Sequence, residues 1–155
     1  MKEQARPAGA GQPATPALEE AAFLDMWRTA DLLSAGPARA IKAEHLSLTQ
    51  YNVLRILRGA PEGLVCGEIA KRMITRDPDI TRLLDRLEKR GLIARRREPA
   101  DHRRVVTRIT SAGLRLLARL DRPVREAHQR QLGHLGPGRL RKLAQLLRLA
   151  RARLS

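Results

Sequence analysis

Aromatic residues are nearly absent. The 155-residue chain holds one Trp, one Tyr and one Phe, so its core has to be aliphatic. Leu and Ala are good helix formers, and packed helices are the expected architecture. A single cysteine, Cys66, excludes an internal disulfide framework and fits a reducing compartment. No apolar run approaches the roughly 18 residues of a membrane span. Residues 1–17 carry no apolar stretch that would serve as a secretion signal. These absences predict a cytoplasmic location and no membrane partner. Reaction chemistry is lacking too. His45, His102, His128 and His134 are scattered, without the close spacing of zinc ligands. No Gly-rich phosphate loop, nucleophile elbow or matched His/Asp/Ser set occurs. No catalytic residue, metal or cofactor is expected, and the chain does not read as an enzyme.

What is present is positive charge. The chain has 31 Lys and Arg against 16 Asp and Glu, a net charge of +15. The plain alternative is a soluble protein whose coding sequence favours Arg codons; the functional reading is a partner that is a polyanion, nucleic acid before membrane. Residues 1–67 balance seven bases with seven acids. Residues 68–108 hold thirteen bases and seven acids, and residues 109–155 eleven and two. The excess therefore lies in the last 88 residues. The acids among the bases of the middle block suit a reading surface, where a carboxylate orients an Arg side chain.

Residues 1–17 are rich in Pro, Gly and Ala and predict a disordered tail. Rough helical spacing predicts a helix over 18–43, with Gly36-Pro37 as a kink. Ser47 caps a second helix, Gly59–Gly63 is a turn, and a third helix runs over 66–74. Asp77 is the expected cap of a fourth helix, with Pro78 at its first position and Gly91 as its stop. Segments 92–98 and 104–109 predict two strands, the second alternating Val105, Thr107 and Ile109 with Arg104, Val106 and Arg108. Thr110 caps a helix reaching 132, Gly136-Pro137-Gly138 breaks it, and a last helix ends at 154. Three helices followed by a basic hairpin give a mainly α fold with a small β-hairpin, a winged helix-turn-helix.

On the fourth helix Ile80, Leu83, Leu84 and Leu87 share a stripe of about 100°, the usual core face. Arg82, Asp85, Arg86 and Lys89 lie opposite, with Arg82 and Arg86 one turn apart. A helix dry on one side and basic on the other suits the major groove, where an Arg fork meets guanine O6 and N7 together. Thr75, Arg76, Asp79 and Thr81 crowd its start, the part that reaches base edges. The bland reading is a solvated face with weak Arg–Asp pairs. In the hairpin, Arg95, Arg96 and Arg97 precede a turn carrying Arg103 and Arg104. So many cations on one ribbon repel each other unless a narrow minor groove receives them. Asp101 is placed to hold the Arg103 guanidinium extended. The alternative is an edge strand blunted by charge.

The segments LTQYNVLRIL (48–57), GEIAKRMITRDPDITRLLDRLEKRGLIARRREPADHRR (67–104) and ITSAG (109–113) resemble the MarR family of bacterial transcription regulators. The D-x-R of the wing followed by I-T-x-x-G is the more specific part. The resemblance implies a homodimer on a palindromic double-stranded DNA site. Helices within 18–46 and 111–155 would form the dimer interface, and 47–110 the DNA-binding lobe. It implies recognition-helix contacts from Thr75, Arg76, Asp79, Thr81, Arg82 and Arg86. Wing contacts are implied from Arg95, Arg97, Asp101, His102, Arg103 and Arg104. His102 stands where Arg is common in the family. The resemblance further implies release of DNA by a small phenolic or anionic effector, with Trp27, His45, Tyr51 and Arg55 as pocket candidates. Ordinary core and interface roles are the alternative for these four. Cys66 does not lie in the first helix, where the family's peroxide-sensing cysteine lies, and reads either as a low-pKa thiol at a helix start or as a packing residue. Leu140, Leu143, Leu146, Leu147 and Leu154 stripe the last helix, and Leu114, Leu117, Leu120 and Val124 the one before. Such stripes need a cover, from a partner chain or from each other. A non-specific or architectural nucleic-acid binder is the competing function, and a docking module for an acidic protein a third.

Overall fold

The computed structural model describes residues 17–75, 77–99, 101 and 103–154. All but one residue of the expected tail lies outside this range, as do Arg76 and His102. Helices α1 (Leu18–Ala43), α2 (Leu48–Arg58), α3 (Cys66–Arg72), α4 (Ile80–Lys89), α5 (Ser111–Leu132) and α6 (Gly136–Arg151) alternate with strands β1 (Leu64–Val65), β2 (Ile93–Arg97) and β3 (Val105–Ile109). The antiparallel sheet has the order β1-β3-β2. This is a winged helix-turn-helix, as the order of helices and hairpin predicts.

The chain divides into two compact units between Leu32 and Leu33. Among the described residues the first unit is the leading part of α1. There Phe23 and Trp27 meet edge to face with ring centroids 5.7 Å apart.

The second unit carries the core: Val53, Leu54 and Leu57 of α2, Ile69 of α3, Leu84 and Leu87 of α4, and Leu117 and Leu120 of α5. Tyr51 is its one aromatic member. Within α1, Pro37 has no N–H to offer the Leu33 carbonyl one turn back. That carbonyl instead accepts from Gln131 Nε2 at 3.1 Å, and a Cβ at Gly36 would lie 2.6 Å from the same amide nitrogen. A side chain of α5 thus completes the helix that the proline interrupts.

Capping explains most boundaries. Ser47 and Gln50 form a reciprocal capping box, each side chain accepting from the other's backbone N–H. After α4, Gly91 adopts φ 68°, and the amides of Gly91 and Leu92 donate to the carbonyls of Glu88 and Leu87. These two bonds are the Schellman closure. Thr110 Oγ accepts from the Gly113 amide and donates to the Gly91 carbonyl. Gly113 is glycine for space, since a Cβ there would sit 2.4 Å from the Leu92 carbonyl oxygen.

Four expectations need correction. Helix α4 starts at Ile80, not Pro78, and Asp79 caps it by accepting from the Arg82 amide. Asp77 instead accepts from the Asp79 amide and shapes the preceding turn. Strand β1, too short to alternate, pairs Leu64 and Val65 with Thr107 and Val106 and makes β3 the central strand. Val106 and Thr107 are therefore both buried although they face opposite sides, and no clean alternation survives. Finally, α5 ends in a 3-10 turn, Gly133–Leu135. Gly136 (φ 71°) is the hinge, and Pro137 sits inside the first turn of α6.

Candidate nucleic-acid interface

Helix α4 has two chemically opposite sides. Leu83, Leu84 and Leu87 are buried, each worth about 1.5–3 kcal/mol over exposure. Thr81, Arg82, Arg86 and Lys89 are exposed, as is Thr75 just ahead of the helix. Arg82 is only loosely paired, Nη1 lying 3.9 Å from Asp79 Oδ2 with both side chains largely in solvent; such a contact contributes little. Arg86 has no ion pair among the described residues. The approach to the helix is pinned from α2, where Asn52 Oδ1 accepts from the Ile74 amide at 2.9 Å. The far end is pinned by Arg90, whose guanidinium donates to the carbonyls of His45 (2.6 Å) and Glu44 (3.1 Å). Glu44 is in turn held by Arg119 of α5 at 2.8 Å. The Arg119 hydrogen bond is the chief reason the Glu44 carboxyl lies below its ordinary pKa.

The hairpin β2–β3 presents Arg96, Arg97, Arg103 and Arg104 in exposed positions. Arg104 closes the base of the turn with Glu98 at 3.2 Å. Asp101 works differently from expectation. Its Oδ1 accepts from the backbone amide of Arg103 at 3.0 Å, a two-residue reach that a short carboxylate makes readily. It shapes the turn, and the Arg103 guanidinium has no ion pair among the described residues.

Arg95 stands apart from its neighbours. Its side chain is 24% exposed and contacts two carboxylates of α4, Asp85 Oδ1 at 2.5 Å and Glu88 Oε2 at 2.6 Å. Its backbone amide also donates to Glu88 Oε1 at 3.0 Å. Sequence reasoning placed Asp85 on the outer face of α4 and gave Glu88 no role. The signal was two acids three residues apart opposite the first arginine of a strand, but only packing of β2 on α4 joins them. Arg95 also lines an open cavity of about 150 Å³ together with Cys66, Thr81, Leu84, Val105 and Thr107. Cys66 is half-buried there, at the start of α3.

The effector candidates are dispersed in character. Trp27 is 65% exposed in the first unit. In the second, His45 sits at φ 55° in the turn before α2, and Tyr51 is buried with the exposed Arg55 guanidinium 5.9 Å from its ring centre. Among the described residues no three His, Cys, Asp or Glu gather as a metal site requires, and no helix is long and apolar enough to cross a membrane.

Comparison with known proteins places this geometry. The MarR family model matches residues 46–105. A MarR transcription factor from Planctomyces limnophilus is 43% identical, with 87% of this chain and 98% of that one aligned at a TM-score of 0.66. The HTH-type transcriptional repressor IacR of Pseudomonas putida is 29% identical over 70% of this chain and 65% of its own length. Bordetella bronchiseptica BpsR, whose DNA binding is regulated by 6-hydroxynicotinic acid, shares the fold with a TM-score of 0.78 at 22% identity, over 90% of this chain and 99% of that one. With its exposed basic helix and arginine-bearing wing, the chain belongs to the MarR family of transcriptional regulators.

Proposed function

We propose that two copies of this chain bind a palindromic operator, each placing α4 in the major groove and the tip of its hairpin in the adjacent minor groove. The observation that carries this is the exposed basic face of α4, with Arg82 and Arg86 outward over buried leucines, beside a hairpin turn whose Arg103 is exposed and has no ion pair among the described residues. Helix α6 supports the dimer: none of its residues is buried, and Leu143, Leu146 and Leu149 lie open in the single chain. A small phenolic or anionic effector regulates release in this reading, with His45, Tyr51 and Arg55 of the second unit as its contacts. Arg55 supplies an exposed cation for such a ligand, and 6-hydroxynicotinic acid is a reasonable first probe.

Selection of bound duplexes from a random pool tests the reading. A selected palindrome should bind at least ~10³-fold more tightly than random DNA at fixed salt, and equal affinity would refute it. Arg86→Ala should relax preference at one base position at a cost of ~1–3 kcal/mol. The dense positive charge of residues 109–155 favours a second reading, a non-specific binder. That reading predicts steep salt dependence without base preference, and the same substitution would then weaken all sequences alike.

A further inference from the structure

We infer that Arg95 is a positioning residue and not a DNA ligand: with Glu88 and Asp85 it fixes the angle between α4 and the hairpin, and so the spacing at which the two grooves are read. This rests on the operator reading above.

Four hydrogen bonds join the residue to α4. The guanidinium donates from Nε and Nη2 to Glu88 Oε2 and from Nη2 to Asp85 Oδ1, and the backbone amide donates to Glu88 Oε1. Charge-assisted bonds of this kind are about twice as strong as neutral ones. The local charge of the triad is negative, one cation against two carboxylates, so a phosphate approaching Arg95 meets net repulsion. Recruiting Arg95 to DNA would also leave Asp85 and Glu88 without their cation and set two carboxylates beside the phosphates. Arg96 and Arg97, in contrast, are exposed.

The pin sits where leverage is greatest. The base of the hairpin is held by the turn at Gly91, by β1 pairing with β3 and by buried Ile93 and Val106. Arg95 adds a polar tie from β2 to α4 beyond that base. From Ile93 to the tip near Pro99 the hairpin extends about 20 Å at ~3.3 Å per residue. Rocking by about ten degrees would move the tip by about 3.5 Å, close to the ~3.4 Å step of one base pair. Rocking of that size in an unpinned wing would shift its register with the groove by a whole step.

The test compares wild type, Arg95→Met, Glu88→Gln and the double variant on the operator selected by the wild-type dimer. Affinity is measured as a function of salt. It is measured again on an operator with one base pair inserted between the major-groove core and the wing-contacted flank. Each single variant should bind about tenfold more weakly, the scale of one mismatched pair. The double variant should be no weaker than the weaker single, because both break one pin. The salt slope should be unchanged, and the insertion should cost the variants less than it costs wild type. A salt slope reduced by about one phosphate contact in Arg95→Met, unaltered or tighter binding by Glu88→Gln, or an equal insertion penalty overturns the inference. Should Arg95→Met fail to fold, Glu88→Gln carries the same readouts. A wild type that does not prefer its selected site to random DNA sinks the operator reading, and this inference with it.

Discussion

The lobe around α2, α3 and α4 and the terminal helix α6 follow opposite rules. Every helix of the lobe buries at least one residue within the chain, and its polar groups are pinned by Asn52, Arg90, Arg95 and Thr110. Helix α6 buries none and exposes leucines along its length. The lobe completes its core within one chain, with Leu117 and Leu120 of α5, whereas α6 has the composition of a core without the cover. The difference separates helices covered within the chain from one that the chain leaves open.

Substitutions break this contrast in graded ways. Leu87→Ala removes a fully buried side chain from α4 and should cost about 2–5 kcal/mol, visible as a lowered denaturant midpoint. Leu146→Asp should leave the fold of the lobe intact while sedimentation shows a monomer, and operator affinity should fall by at least ~10²-fold as the two half-sites lose their linkage. If this variant remains a dimer, α6 is covered some other way. Thr110→Ala removes the α5 cap and the bond to the Gly91 carbonyl; about 1 kcal/mol of stability should go with it.

The smallest effect is a pH dependence. The Glu88 carboxyl lies below its ordinary value of 4.5, first because of the Arg95 hydrogen bond, while burial pushes it the other way. A lowered folded-state pKa means the pair's contribution is complete above 4.5 and drains as pH falls below it. The melting difference between wild type and Arg95→Met should therefore be constant near neutrality and shrink in acid. A difference that grows in acid would show the pair to be mis-assigned.

Much of the frame was legible in the sequence because it is local. The bounds of α1, the Ser47 and Thr110 caps and the stop at Gly91 follow from spacing and capping chemistry within a few residues. The start of α4 was misplaced because Asp77 and Asp79 are both competent caps, and only the path of the turn selects the second. Strand β1 was missed because two residues carry no period, and with it went the burial of Val106. Arg82 and Arg86 were readable as outward-facing from helical period alone. The ion pairing of Arg95 was not, since Asp85 and Glu88 belong to another element.

The junction of Pro37, Gly36 and Gln131 has a consequence for descent. A proline that removes an amide, a glycine that clears space and a glutamine 94 positions beyond the proline that supplies the missing donor form one structural junction. Relatives that lack the proline have no vacancy for the amide to fill, so the three sites should be kept or abandoned as a set.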